Sequence, residues 1–308
     1  MPASVISCFK KQEAKEGTAL AREIFVTPQD CLQEVFDNAR ENDTLRLAAG
    51  IYRQKAVIRV PHLTVIGAGK DKTRIVYGDY ALKKDAQGRE LVTFRTYTLA
   101  VCADHVKMER LNIANDALEP HVKGQEVALS VCGDDFQMAH CALSSTQDTL
   151  FIGPLPPDLV ERYDGFLPDE LRGGAQLTQR FEHCLIEGTV DFIFGCGAAV
   201  FDRCVIRSLY DARGVGYVAA PAHPLSQKKG FLFRNCRLTR ARGVANGSVF
   251  LARPWRDYGL CRFENCVYGR HIAAAGFDKW NDSRRDLTAR FEEFPAVEGR
   301  VSWVNRAD

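Results

Sequence analysis

Asp191 stands in the run Gly-Thr-Val-Asp-Phe-Ile-Phe-Gly (188–195), where Val190, Phe192, Ile193 and Phe194 read as a buried strand. A carboxylate in such a place is costly unless it is paired or reacts. A second aspartate, Asp148, lies seven residues after Cys141, just as Asp191 lies seven after Cys184. If the two cysteines mark equivalent points of a repeat, the aspartates are neighbours on adjacent strands, about 4.8 Å apart. Like charges that close raise one pKa, leaving a protonated acid beside an ionised nucleophile. Asp211 also lies seven after Cys204, but Leu-Tyr-Asp-Ala-Arg-Gly reads as an exposed turn and ranks it below the other two. A cationic partner for Asp191 is best sought in Leu251-Ala-Arg-Pro-Trp255, where Arg253 follows an apolar strand end and is locked by a proline. Arg253 could hold the carboxylate through two bonds and keep it ionised, and Trp255 could stack on a sugar face. Taken singly, a surface arginine and a core tryptophan are the plainer readings; the buried aspartate is what ties them together.

The elements that must position these groups come from a repeat. Phe181-Glu-His-Cys184, Phe201-Asp-Arg-Cys204, Phe233-Arg-Asn-Cys236 and Phe263-Glu-Asn-Cys266 share one phrase, and looser copies end at Cys141 and Leu111. The cysteine-ending copies from Cys184 onward recur at intervals of 20 to 32 residues, each followed by an alternating or branched run. That is the pattern of a solenoid of short strands, in which each coil puts the same side chain at the same inward point. Gly, Asn, β-branched and aromatic residues argue against helical repeats. The expected fold is therefore all-β: a right-handed parallel β-helix of about 20–30 residues per coil, one domain over 1–308. One helix is expected before the coils, capped by Thr27, with Pro28 in its first turn and an apolar face of Leu32, Val35, Phe36 and Ala39. It would cover the open end of the solenoid. Strands are expected at Thr44–Leu47, Ala56–Val60 and Leu63–Ile66, with turns at Ala49-Gly50 and Gly67-Ala-Gly69. The segment 153–176 breaks the rhythm; setting it aside brings the Cys141–Cys184 spacing close to that of Cys184–Cys204. It reads as a loop leaving the solenoid, either bordering a site or forming a bland surface excursion.

Composition removes other classes. With 46% hydrophobic and 26% charged residues the chain has ample core for a soluble globular protein. A formal net charge of +2 with scattered basic residues marks no nucleic-acid or membrane surface. No apolar run approaches the roughly 18 residues of a membrane span. The first ten residues carry no secretory pattern, and the eleven cysteines are odd in number and form no Cys-x-x-Cys. A cytoplasmic, reducing setting is expected, with most thiols acting as small buried apolar groups. No Gly-x-Ser-x-Gly elbow, phosphate loop or His-x-x-x-His pair occurs, and Gly67-Ala-Gly69 lacks the third glycine of a dinucleotide site.

The Asp191 run, Gln147-Asp-Thr-Leu150, Gln125-Glu-Val-Ala-Leu129 and Leu251-Ala-Arg-Pro-Trp255 occur in the order found in pectin methylesterases, carbohydrate esterase family 8. Gly50-Ile-Tyr52 resembles that family's first motif, and the resemblance extends to the Trp280–Phe291 tail. It implies the same parallel β-helix, and it implies roles. Asp191 would be the nucleophile and Asp148 the general acid, then base. Gln147 and Gln125 would donate to the oxyanion, and Arg253 would position Asp191. Trp255 and Phe194 would contact uronate rings, and Thr93 would bind substrate. The implied reaction is hydrolysis of C6 methyl esters of galacturonan or oligogalacturonide, without metal or cofactor, by a monomer. Four positions depart from the family pattern: Gln54 for Glu, Glu126 for a small residue, Ala252 for Gly, and Thr146 for an aromatic. None is a reacting group; Glu126 and Thr146 bear on subsite preference. Two other readings fit the residues, an esterase or thioesterase of a non-pectic acyl group and a non-hydrolytic carbohydrate-binding β-helix. The missing leader points to short imported oligogalacturonides as substrate.

Overall fold

The computed structural model describes residues 21–117, 124–173, 177–281 and 283–305. The N-terminal residues read above for a leader, and 174–176 at the end of the inserted loop, lie outside the described residues. Short strands stack into three sheets of ten, seven and eight strands, and the chain visits the sheets in turn. Each strand pairs in parallel with its equivalent on the next coil, giving a parallel β-helix. The repeat phrase sits in register: Met138 pairs with Phe181, Phe181 with Phe201, Phe201 with Phe233 and Phe233 with Phe263. The four phenylalanine rings are fully buried and stack at centroid distances of 4.9, 4.6 and 4.5 Å, with planes within 14°.

After each phenylalanine the chain turns a corner. His183, Arg203, Asn235 and Asn265 take left-handed φ of 52°, 51°, 55° and 50°. Asn accepts that conformation readily; His and Arg adopt it because the flanking parallel ladders fix the backbone. The cysteine that follows points inward and donates its thiol to a carbonyl of the preceding coil. Cys184 reaches Met138 O (3.5 Å), Cys204 reaches Phe181 O (3.4 Å) and Cys236 reaches Phe201 O (3.2 Å). A small, weakly polar side chain suits this place because its one donor finds a partner without a cavity.

The helix α1 covers Leu32–Asp37, shorter than expected, and starts at a Cys31 N-cap rather than at Thr27. The backbone N–H and hydroxyl of Thr27 both donate to Asp30 Oδ2 (2.7 and 2.9 Å), so Thr27 and Pro28 belong to a separate turn. Leu32 and Phe36 are buried, with Val35 and Ala39 partly so. The helix closes the exposed edge of the seven-stranded sheet. The Gln33 amide donates to Val57 O (3.0 Å) and accepts from Val57 N–H (2.8 Å), standing in for a missing strand. Gln54, one of the departures, accepts from Leu32 N–H at 2.7 Å and donates to Asp30 O at 2.8 Å, tying down the helix start. Of the expected strands, Thr44–Leu47 is as read, while the others are Ala56–Ile58 and Thr64–Gly67.

The insertion leaves after strand Leu150–Ile152 and carries a one-and-a-half-turn helix, α2 (Pro157–Arg162). It is not a loose excursion. Leu155, Leu159, Leu167 and Leu171 are buried, and ion pairs Arg59–Glu170 (2.6 Å) and Arg256–Asp158 (2.7 Å) fasten it to the coils.

Candidate active site

The two aspartates meet because of strand register. Leu150 pairs with Ile193 and Phe151 with Phe194, and continuing that register places Asp148 beside Asp191, with Asp148 N–H donating to Val190 O at 3.1 Å. Both residues have left-handed φ, 65° and 50°, as do the corner residues of the coils. On the next coil Ile193 pairs with Ala219, so the equivalent position holds Tyr217, not Asp211. Counting from Cys204 misleads because the turn between strands Val205–Ser208 and Gly216–Pro221 lengthens this coil.

Arg253 holds Asp191 as the sequence led one to expect. Its Nε reaches Oδ1 at 2.8 Å and Nη2 reaches Oδ2 at 2.6 Å. The guanidinium lies against two rings, with Cζ 3.8 Å from the Tyr217 centroid and 4.0 Å from that of Trp280. A fork held by a carboxylate and two π faces has little freedom left. Burial opposes the Arg253 charge, but the Asp191 bond and charge outweigh it and hold the group above its ordinary value.

The aspartates are only 8% (Asp148) and 7% (Asp191) exposed, and burial raises both pKa values. For Asp148 burial is reinforced by the Asp191 charge, and its carboxyl lies well above the usual range despite Arg253 and a bond from Gln147. For Asp191 the Arg253 bond and charge pull against burial, and its rise is the smaller. The pair is thus split in the order needed: Asp148 holds its proton more tightly than Asp191.

A cavity of about 590 Å³ opens over the pair. Gln125, Gln147, Asp148, Asp191, Arg253, Phe194, Trp255 and Thr93 all line it, so every site residue named from the sequence is brought together. Phe194 is nearly buried; it packs on Phe151 (5.2 Å) and takes the edge of Trp255 (5.7 Å), so it is more floor than wall. Two of the departures answer each other away from the cavity: Thr146 Oγ1 donates to the buried Glu126 Oε1 at 2.6 Å.

A family model for pectinesterases matches residues 14–154 and 174–306. The chain belongs to the pectinesterase family. A putative pectinesterase of Arabidopsis thaliana, number 11, is 29% identical over 262 residues, spanning 82% of this chain and 63% of that relative. A pectin methylesterase solved with a hexasaccharide superposes with a TM-score of 0.69 at 25% identity, covering 84% of this chain and 83% of its own. Carrot pectin methylesterase superposes with a TM-score of 0.77 at 23% identity, covering 95% and 91%.

The pectinesterase match steps over most of the insertion, yet the insertion supplies Asp158, Leu159, Arg162 and Tyr163 to the cavity wall. The sequence reading missed these, and it missed Tyr217, Trp280, Arg256 and Arg285. Tyr217 was legible in principle, through the Phe-Gly and Ala-Pro ends of adjacent strands, had the longer turn been allowed for. Trp280 was not, since it lies outside the repeat phrase, in the stretch between strands Val267–Tyr268 and Arg290–Phe294.

Proposed function

We propose that this chain hydrolyses C6 methyl esters of galacturonate in methyl-esterified galacturonan or its oligomers. The observation that carries the reading is the asymmetric pair, Asp191 gripped by Arg253 beside the buried Asp148, whose proton affinity is raised by burial and by the Asp191 charge. The ionised Asp191 attacks the C6 carbonyl, and amide N–H groups of Gln125 and Gln147 receive the oxyanion. As the tetrahedral intermediate collapses, the C–OCH3 bond breaks and Asp148 gives its proton to the departing methoxide, releasing methanol. An acyl–aspartyl anhydride remains. Asp148, now a carboxylate, takes a proton from water, the hydroxide adds to the acyl carbon, and the C–O bond to Asp191 breaks. Free galacturonate leaves, and both aspartates return to their starting states.

The substrate class is supported by the walls as well as by the relative solved with a hexasaccharide. Trp255 and Trp280 line the cavity with aromatic surface for sugar rings, and Arg162 adds a basic side chain, while Arg256 and Arg285 are paired with Asp158 and Asp257. Action on short oligomers is favoured by the added wall of the insertion. A reducing, cytoplasmic setting is favoured by the ten described cysteines, all free thiols. Methanol release from methylated tri- to hexagalacturonates, with methylated polymer and simple acyl esters as comparators, tests the reading. Absence of methanol from every galacturonate would refute it, and faster turnover of polymer would refute the oligomer preference.

A further inference from the structure

Gln147 has a steering partner that the sequence reading set aside as an exposed turn. Arg213 is bound to Asp211 by three bonds: backbone N–H and Nε to Oδ1 at 2.9 and 2.8 Å, and Nη2 to Oδ2 at 2.7 Å. The Asp211 side chain is only 15% exposed, so the turn presents a pre-formed carboxylate–guanidinium clamp and not a loose charge. Two of the five guanidinium N–H groups serve Asp211, and one of the others is used. Arg213 Nη1 reaches Gln147 Oε1 at 3.0 Å.

A primary amide has two ends of nearly equal size, one accepting and one donating. An unguided Gln147 could therefore turn either end to the reacting carbonyl. A guanidinium only donates, so the end of Gln147 that faces Arg213 is the oxygen. The amino group is then the end left for the cavity that Gln147 lines together with both aspartates. That is the end an oxyanion requires; the opposite end would set a carbonyl dipole against the developing negative charge. Asp211 completes the arrangement by fixing the fork and offsetting its charge, so the substrate side of Gln147 meets an oriented donor without a bare cation.

We propose that Arg213, held by Asp211, is a positioning residue that selects the donating face of Gln147, a role that rests on the ester hydrolysis set out above. Neither residue touches the reacting atoms. The Arg213 charge also acts on both aspartates, lowering the pKa of each, so the proposal requires that most of its effect on kcat passes through Gln147.

The test is a double-mutant cycle read by initial rates of methanol release from methylated oligogalacturonate, after wild-type turnover has been established. Losing one oxyanion donor typically lowers kcat by roughly 10²–10³-fold. Misorienting it part of the time should cost less, so Arg213→Ala is expected to lower kcat by about 10-fold with KM within about twofold of wild type. Asp211→Asn, which frees the fork but keeps it, should lower kcat by a smaller factor. In a Gln147→Ala background Arg213→Ala should cost at most about twofold, the share its charge exerts on the aspartates, because there is no amide left to orient. Arg213→Lys, which keeps a donor, should recover part of the loss. The proposal is overturned by an unchanged kcat in Arg213→Ala, by a loss that multiplies in full on top of Gln147→Ala, or by a rise in KM alone. The last result would make Arg213 a substrate-binding group. A wild type that releases no methanol would instead remove the ester hydrolysis on which the proposal stands.

Discussion

Two rows of side chains run along this solenoid under the same rule and to opposite ends. In the interior row Met138 leads into Phe181, Phe201, Phe233 and Phe263, the four rings stacked each on the next. In the groove row the equivalent position carries Asp148, then Asp191, then Tyr217. Parallel register brings neighbours close in both. Where the neighbours are identical and apolar, closeness is attractive, and the row is a spine. Where they are two carboxylates and a phenol, it shifts proton affinities, and the row becomes a reaction site. The fold supplies proximity; the residue at the repeated point decides whether proximity stabilises or reacts.

Substitutions should separate the rows cleanly. The largest effect is expected from Asp191→Asn, a loss of roughly 10⁴-fold or more in kcat, as befits a nucleophile, with a circular dichroism melt close to wild type. Asp148→Asn should lower kcat by about 10²–10⁴-fold, the range for a general acid. It should also raise Tm at pH 7. The folded-state pKa of Asp148 lies above its unfolded value, so the folded state loses stability as pH rises past the unfolded value, and the amide removes that penalty. The gain should shrink toward pH 4, and a variant that melts lower than wild type at pH 7 would contradict the assignment. The same pair predicts a bell-shaped pH profile for methanol release, falling on the acid side as Asp191 takes a proton and on the alkaline side as Asp148 loses one.

The interior row should answer the other way. Phe201→Ala, which opens a hole between two stacked rings, should cost about 3–5 kcal/mol in denaturant unfolding while the folded fraction keeps its kcat. A loss of kcat in the folded fraction would mean the two rows are coupled. The mildest expected effect belongs to His223, buried away from the cavity, with Nδ1 accepting from Leu260 N–H (3.1 Å) and Nε2 bonded to Gly197 O (3.0 Å). Burial pushes its pKa down to about 4. Between the unfolded value near 6.5 and about 4 the unfolded chain binds the extra proton, so stability falls as pH falls through that window. The scaffold therefore contributes its own acid limb, visible in Tm against pH and absent from the initial rate at low temperature.

Much of this was legible before any coordinates. The phenylalanine–cysteine phrase announced the coils, because a solenoid must present the same inward side chain at each turn, and the register of Asp148 with Asp191 followed from it. Helix α1 was legible as an element but not in its start, since Asp30 captures Thr27 and the helix depends on Gln54 from the next coil. Asp211 shows the other limit: equal spacing from a cysteine fails as soon as one coil carries a longer turn. The departures at Glu126 and Thr146, read as marks of substrate preference, turn out to bond to each other outside the cavity.

By itself, then, the sequence determined the coil, its spine and the reacting pair, because those depend on local periodicity and on residue types repeated at fixed intervals. The tertiary structure alone decided what surrounds the pair. Tyr217 and Trp280 on the Arg253 guanidinium, the inserted α2 as a wall, and the Asp211–Arg213 clamp on Gln147 all depend on turns and insertions that differ from coil to coil. No periodicity records where such segments return, and only the packing of one coil upon the next brings them to the groove.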